Sequence, residues 1–346
     1  LDLNVQSKNI EKKIYSSISK NIKSSSFVGG DDLNKFEKEF SNYLNVKFCH
    51  GVANGTDALE IAIKALELKK GSEILVPANT WISSAEAILN NNLSVKFVDV
   101  DETHNISIKD LKKKITKKTK ALIVVHLYGN PANMDEILKL KKKYKLKVIE
   151  DCAQAHGAEY KKKKVSSFGD IGTFSFFPSK NLGCFGDGGC VVTNNKKYYL
   201  KMKKISNHGG LKKNSHLILG RNSRLDNIQA GILRIKLKEL NKWILLRNRQ
   251  AKIYHKHLYK IKKISFVKQL KNTKSSLHLM VIKTINRNSL KKYLEEKGIK
   301  TALHYPKSLP EIDIFKKEHF KYCKDMTSIK LNKQILSLPI GEHLNF

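Results

Sequence analysis

The stretch KVIEDCAQAHGAEYKKKKVSSFGDIGTFSFFPSKNLGCFGDGGCVVT (147–193) decides how this chain is read. It holds three apolar runs, KVIEDC (147–152), TFSFF (173–177) and CVVT (190–193), which are nearly continuous rather than alternating. A strand covered on both faces has that texture, because neither face needs polar residues. The same texture recurs upstream in EILVPA (73–78), VKFVDV (95–100) and ALIVVHLYG (121–129). Between these runs TWISSAEAILN (80–90), SIKDLKKKI (107–115) and MDEILKLKKKY (134–144) carry apolar residues at helical spacing, as with Leu138 four positions after Met134. Strand and helix alternating at this rhythm predict an α/β fold with a mainly parallel sheet. Such sheets gather ligands at the carboxyl ends of their strands, so the polar residues closing the runs are the candidates for chemistry.

Asp151 closes the first of these runs, and Gln154 follows it at once. A carboxylate at the end of a buried strand is costly unless a cation or strong donors face it. Asp151 therefore reads either as the cap of the next turn or as the partner of a protonated heterocycle, with Gln154 reaching a polar substituent of the same ring. Lys180 follows an apolar run and precedes the glycine-dense turn NLGCFGDGG (181–189), where a ligand can approach the backbone closely. One more lysine in so basic a chain is ordinarily a solvated charge. A desolvated lysine has a lowered pKa and can form a Schiff base. In NGTDAL (54–59), Asn54 precedes Gly55 and Thr56, with Ala62, Ile63 and Leu66 on one helical face beyond. This is either a plain helix cap or a helix N-terminus whose N–H groups face an anion. Trp81, one of only two tryptophans, follows EILVPA and its loop. It reads as a half-buried packing residue or as a stacking surface for a flat ligand.

Beyond residue 225 the texture changes to one or two long helices carrying Arg and Lys on their wet face, DNIQAGILRIKLKELNKWILLRNRQAKIYHKHLYKI (226–261). A second, smaller α/β unit follows, from SLHLMVIKT through SLKKYLEEKGI to TALHYP. The chain thus divides into a large domain with an N-terminal arm, residues 1–240, and a small C-terminal domain, 241–346. At 346 residues and 40% hydrophobic content it can bury a substantial core, which excludes wholesale disorder. With 66 Lys+Arg against 31 Asp+Glu the formal charge is 66 − 31 = +35. The lysines recur as KKK (112–114), KKK (141–143) and KKKK (161–164) and singly along the helical runs, so nucleic-acid binding is not the expected main function, although the field favours an anionic small molecule. Cys49, Cys152, Cys184, Cys190 and Cys323 are scattered and form no CxxC pair, so neither a disulfide framework nor a metal site is expected. No apolar run of about 18 residues spans a bilayer and no secretory leader opens the chain, which points to a cytoplasmic protein. The absence of an initiator Met and an end in SLPIGEHLNF suggest that both termini are incomplete.

Taken together, NGTDAL, VPANTWISSAEAI, FVDVD, HLYGNPANMDEI, the segment IEDCAQAHGAEYKKKKVSSFGDIGTFSFFPSKNLG, GDGGCVVTN, NHGG, GRNSRLDNIQAGIL and ALHYP resemble, in order, the DegT/DnrJ/EryC1/StrS family of sugar-nucleotide aminotransferases. The resemblance implies the fold type I, aspartate aminotransferase-like architecture and pyridoxal 5′-phosphate (PLP) as cofactor. It implies Lys180 as the Schiff-base lysine and proton carrier, Asp151 on the pyridine nitrogen, Gln154 near the ring hydroxyl and Trp81 on the ring face. Gly55, Thr56 and Ser175 would hold the phosphate, with Asn222 contributed by the neighbouring subunit of a homodimer. The implied reaction moves an amino group, from glutamate, onto a keto group of a nucleotide-diphosphate sugar in amino-sugar and surface-glycan biosynthesis. His208, Arg221, Arg224 and the pair His304 and Tyr305 are candidates to bind that anion, each with an ordinary structural or surface role as its alternative. Lys180 stands where dehydrating relatives carry His, which disfavours a PLP-dependent sugar dehydratase. A non-catalytic regulator using the basic surface for nucleic acid is the remaining rival. KKKK (161–164) and Ser166 replace the usual glycine-containing turn, and KSLPEIDIF after Pro306 diverges from the family pattern.

Overall fold

The computed structural model describes residues 2–212, 214–319 and 323–344. Its helices are α1 (Leu3–Lys8), α2 (Glu11–Lys23), α3 (Asp31–Leu44), α4 (Gly55–Ala65), α5 (Ser83–Leu89), α6 (Ile108–Lys114), α7 (Met134–Tyr144), α8 (Lys196–Ser206), α9 (Asn227–Leu258), α10 (Arg287–Glu296), α11 (Asp313–His319) and α12 (Thr327–Asn332). The strands are β1 (Phe48–Val52), β2 (Glu73–Pro77), β3 (Ser94–Val98), β4 (Thr119–Val125), β5 (Lys147–Asp151), β6 (Glu159–Tyr160), β7 (Lys163–Lys164), β8 (Ile171–Ser175), β9 (Gly189–Thr193), β10 (Ser265–Phe266), β11 (Thr273–Lys274), β12 (Met280–Lys283) and β13 (Ile335–Leu338).

Seven strands form the main sheet in the order β1-β9-β8-β5-β4-β2-β3. Pairing is parallel from β3 through β2, β4 and β5 to β8, whereas β9 runs antiparallel to both β8 and β1. The exception has a simple cause. A parallel return from β8 needs a crossover of a dozen or more residues, usually helical. Here the chain turns back through the glycine-dense loop after Ser175 and pairs Ser175 with Gly189. That loop carries Lys180 and lies at the carboxyl end of β8.

Alternate residues of the strands enter two different apolar layers. Ile74, Val76, Ile123, Ile149 and Val191 face α4 and α5, while Leu75, Leu122, Val124, Val148 and Val192 face the side of α3, α7 and α9. Period-two alternation with both faces dry is why the sequence reads as unbroken apolar runs. The 32-residue α9 packs against α2 and α3 and extends toward the three-stranded antiparallel sheet β10-β12-β13. There Tyr254 and Leu258 join Met280, Ile282, Leu336 and Leu338 in a separate cluster.

The divergent segment after Pro306 returns to the main sheet. Phe315 meets Phe97 edge-on at 5.3 Å, and the Leu309 N–H donates to the Ala78 carbonyl at 2.8 Å. Helix α12 has no capping side chain of its own, but Asp99 accepts from the N–H groups of Thr327 (2.6 Å) and Ser328 (2.9 Å). The lysine run forms the turn between β6 and β7, with Lys161 at φ 49° and Lys162 at φ 64°. Both are left-handed, the conformation for which a hairpin of this length ordinarily uses Gly or Asn. Among the described residues no helix is long and apolar enough to cross a membrane.

Candidate active site

At the carboxyl end of β5, Asp151 is 6% exposed. Its carboxylate accepts from the Ser84 hydroxyl at 2.9 Å and from the Ala153 N–H at 3.1 Å. Burial raises its pKa above the ordinary 3.8; the two hydrogen bonds and the charge of Lys180 oppose the shift without cancelling it. Lys180, on the loop after β8, has a pKa held below 10.5 by burial, with Asp151 pulling in the other direction. Each group is the other's electrostatic neighbour, although 28 residues separate them in the chain. Parallel pairing of β5 with β8 brings them to one place.

Gln154 has both ends of its amide occupied. Its Oε1 accepts from the Tyr128 N–H at 2.7 Å, and its Nε2 donates to the Tyr305 hydroxyl at 2.9 Å. Tyr305 also lies beside Trp81, with ring centroids 5.7 Å apart, and Trp81 is 60% exposed. The indole is therefore an open ring face at the mouth of the site rather than a packing residue. The preceding residue, His304, bonds through Nδ1 to the Ser337 hydroxyl at 2.9 Å, and its carbonyl accepts from the Tyr128 hydroxyl.

Opposite this group stands the N-terminus of α4. Asn54 caps it, its side-chain oxygen accepting from the Asp57 N–H at 2.8 Å. Among the described residues the N–H groups of Gly55 and Thr56 have no such side-chain partner, as expected for a first helical turn. A Cβ at Gly55 would stand 2.7 Å from the Ser175 Cβ, so only glycine lets the helix end abut the end of β8. The Thr56 hydroxyl is fixed by the Ser83 hydroxyl at 2.7 Å. Gly55, Thr56 and Ser175 thus lie together where the N-terminus of α4 meets the end of β8.

The remaining candidates lie on the segment between α8 and α9, which reaches the approach to α4: the Ala53 N–H donates to the Ser223 hydroxyl at 3.1 Å. Asn222 is exposed and its backbone bridges Asn207. Arg221 turns its guanidinium onto α4, pairing with Asp57 at 2.9 Å and with Glu60. His208 (φ 52°) anchors the base of the loop to residue 221: its N–H donates to the Arg221 carbonyl at 3.0 Å and its carbonyl bonds to His216. Arg224 lines a separate hollow with Glu37, His50 and Ser206.

Sequence reasoning did not find Ser84, which holds Asp151, or Tyr128, which turns Gln154. Tyr128 is buried at φ 61°, and no local sequence signal marks a tyrosine for that conformation. It also left unread the buried set His126, Glu150 and Cys152 beneath Asp151. His126 Nδ1 accepts from the Ala132 N–H and Nε2 faces Glu150 at 3.1 Å. Glu150 in turn accepts from the N–H groups of Ser166, Phe168 and Gly169. With the imidazole and the carboxylate so engaged, the set braces the strand end.

A family model described as the DegT/DnrJ/EryC1/StrS aminotransferase family matches residues 8–346. The chain is 35% identical over 345 residues to a dTDP-3-amino-3,4,6-trideoxy-alpha-D-glucose transaminase of Streptomyces venezuelae, covering 99% of this chain and 91% of that one. It is 38% identical over 349 residues to a UDP-N-acetyl-3-dehydro-alpha-D-glucosamine 3-aminotransferase of Acidithiobacillus ferrooxidans, covering 99% and 93%. Among solved structures it is similar to S. venezuelae DesV in complex with a ketimine intermediate, with a TM-score of 0.96, 34% identity and coverage of 99% and 93%.

Proposed function

The chain belongs to the DegT/DnrJ/EryC1/StrS aminotransferase family, whose members use PLP, and we propose that it transfers an amino group from glutamate to a keto carbon of a nucleotide-activated sugar. One observation carries the reading: a buried carboxylate and a lysine whose pKa burial lowers are electrostatic neighbours where β5 and β8 end, and the N-terminus of α4 abuts the end of β8.

The residues present fit the cofactor. Asp151 is a buried carboxylate with two hydrogen bonds among the described residues, and a cationic ring nitrogen is the partner that would offset its burial. The corner of Gly55, Thr56 and Ser175 suits a phosphate, since the free N–H groups and dipole of α4 favour an anion. When bound, PLP supplies an aldehyde that takes up the donor's amine and a protonated ring that withdraws electrons from the reacting carbon. Lys180 contributes a nitrogen that burial keeps neutral more of the time than a surface lysine, so it can bond to carbon or carry a proton. Gln154, held between Tyr128 and the Tyr305 hydroxyl, would stand near the ring hydroxyl, and Trp81 presents its exposed ring face.

Two further features support a homodimer. Leu217 (67% exposed) and Leu219 (84% exposed) stand in the loop between His208 and Asn222. Such an exposed apolar loop suits contact with a second copy. In that arrangement Asn222 completes the phosphate corner of the partner, and His208, Arg224, His304 and Tyr305 contribute to the sugar-nucleotide cleft. Arg221 acts by organising α4. We take residues 1–240 and 241–346 as the two working units and the cytoplasm as the compartment.

Incubation with 15N-glutamate and a panel of dTDP-, UDP- and GDP-linked keto-sugars tests the reading. Mass spectrometry should find 15N in the sugar for at least one nucleotide, with the free keto-sugar poorer by orders of magnitude, because binding energy from the nucleotide serves the reacting carbon. Loss of a sugar hydroxyl without nitrogen gain would instead favour dehydration.

A further inference from the structure

The segment between β11 and β12 crosses the floor of the site without belonging to it. Ser275, Ser276, Leu277 and His278 are all buried, and Ser276 is wholly so. Asn181, the residue after Lys180, is clamped by this segment through both ends of its amide. Its Nδ2 donates to the Ser276 carbonyl at 2.8 Å and its Oδ1 faces His278 Nδ1 at 3.1 Å. With Asn181 Nδ2 already spent on a carbonyl, the partner of Oδ1 must be a donor, so His278 carries its proton on Nδ1.

The same segment grips the Gln154 side. The Ser276 N–H donates to the Gly129 carbonyl at 3.1 Å, and the Ser276 hydroxyl to the Gln154 carbonyl at 3.2 Å. The His278 N–H donates to the Tyr128 carbonyl at 3.0 Å, and the Tyr128 N–H is the group that turns the Gln154 amide. Leu277 sits at φ 46° and Tyr128 at φ 61°, a facing pair of large side chains in left-handed backbone. Such strain persists only where surroundings over-determine it. A Cβ at Gly129 (φ 87°) would reach 2.4 Å from the Ser276 hydroxyl, so the approach admits no larger residue. From behind, the buried Arg247 of α9 donates to the carbonyls of Leu277 (3.2 Å) and His278 (3.3 Å) while paired with Glu342.

We propose that Ser275–His278 is a positioning strap, in which His278 acts through Asn181 to fix the backbone from which Lys180 reaches into the site and acts through Tyr128 to fix the donor face of Gln154. This rests on the proposed roles of Lys180 and Gln154. A lysine side chain has four rotatable bonds, so its reach is only as well defined as its anchor, and positioning of this kind governs rate more than affinity. His278 is suited to the task because burial, reinforced by the charges of Lys180 and Arg247, holds its pKa well below 6.5 and keeps it an uncharged donor.

The test compares His278→Leu, which loses the donor, with His278→Asn, which restores one at the Nδ1 position. For each holoenzyme, borohydride trapping at fixed pH and peptide mapping give the rate of tagging at Lys180. Steady-state assays give kcat and KM separately, and calorimetry gives Tm. His278→Leu should slow tagging and lower kcat about tenfold, the scale of one lost hydrogen bond, with KM and Tm little changed. His278→Asn should recover most of both. Asn181→Ala should reproduce the loss, and the Leu/Ala double variant should be no worse than either single one. Additive losses, failure of Asn to rescue, or wild-type tagging in His278→Leu each overturn the strap. If His278→Leu does not fold, Asn181→Ala decides by the same readouts, wild-type tagging and kcat refuting the proposal. Failure to tag Lys180 in the wild type refutes the underlying site reading instead.

Discussion

Replacing Asp151 by Asn should change the sign of its effect on stability when cofactor is added. The substitution keeps the shape of the side chain. An Asn oxygen still accepts from the Ala153 N–H, and its amide can donate to the Ser84 hydroxyl, which already has a second partner in Thr80 at 3.0 Å. What disappears is a buried charge. Because burial raises the Asp151 pKa above 3.8, the carboxyl's favourable contribution belongs to its protonated form. That contribution is complete below the unfolded pKa and is lost as pH rises through the folded one. At pH 8 the ligand-free wild type therefore bears the full cost of the ionised group, and Asp151→Asn does not. The ligand-free variant should melt at or above the wild type at pH 8, with the advantage shrinking toward pH 4. With PLP the order reverses. Loss of a hydrogen bond between charged partners costs about 1.5–3 kcal/mol, or about 10- to 150-fold in Kd. At a PLP concentration of about 100 wild-type Kd, binding adds about 2.7 kcal/mol to wild-type stability, whereas a variant weakened about 100-fold gains only about 0.4 kcal/mol. Differential scanning calorimetry of both proteins, with and without PLP at pH 8, reads all four states. The reasoning fails if PLP raises the Tm of the variant as much as that of the wild type, or if the ligand-free variant is several kcal/mol less stable at pH 8.

Three other outcomes are expected. Lys180→Ala should abolish borohydride tagging and amino transfer while circular dichroism and assembly stay unchanged; a tag on another lysine in the wild type would reassign the role. Asn222→Ala should weaken PLP retention, and mixing it with Lys180→Ala subunits should regenerate one intact site per heterodimer, so isolated heterodimers at limiting PLP should be more active than either parent. Inactive heterodimers would put Asn222 to work within its own chain. Lys162→Gly should raise Tm by an amount equivalent to about 0.5–1 kcal/mol, because the native φ of 64° strains lysine and suits glycine; an unchanged or lower Tm would mean that the greater freedom of glycine in the unfolded chain offsets the relief.

Much of the architecture was legible because the signals for it are local. Residues buried on both faces of a strand must be apolar, so the runs ending near Asp151, Phe177 and Pro77 announce themselves, and a parallel sheet places their polar endings on one edge. The cap before α4 is equally local: Asn54, then small residues, then a helical apolar face. The strand β1 and the antiparallel return of β9 were harder to read. Five residues, FCHGV, carry little periodicity, and the direction of β9 depends on a loop having no crossover helix.

The chain by itself determined which residue types stand at the strand ends, and hence that an acid, an amide and a lysine gather at one edge of the sheet. Only the tertiary structure decided what each meets. Lysine is written the same way whether it is solvated, as Lys161 is beside Asp135, or buried, as Lys236 is at 1% exposure with its ammonium on the Gly183 carbonyl at 2.8 Å. Arg221 reads as a free cation until α4 brings Asp57 and Glu60 against it. Ser84 becomes the partner of Asp151 across 67 residues, and His278 the partner of Asn181 across 97. Hydrogen bonds and desolvation act over a few ångströms, whereas residue order constrains only near neighbours along the chain. Composition can therefore supply the functional groups, but their protonation, orientation and strain follow from which distant strands and segments fold side by side.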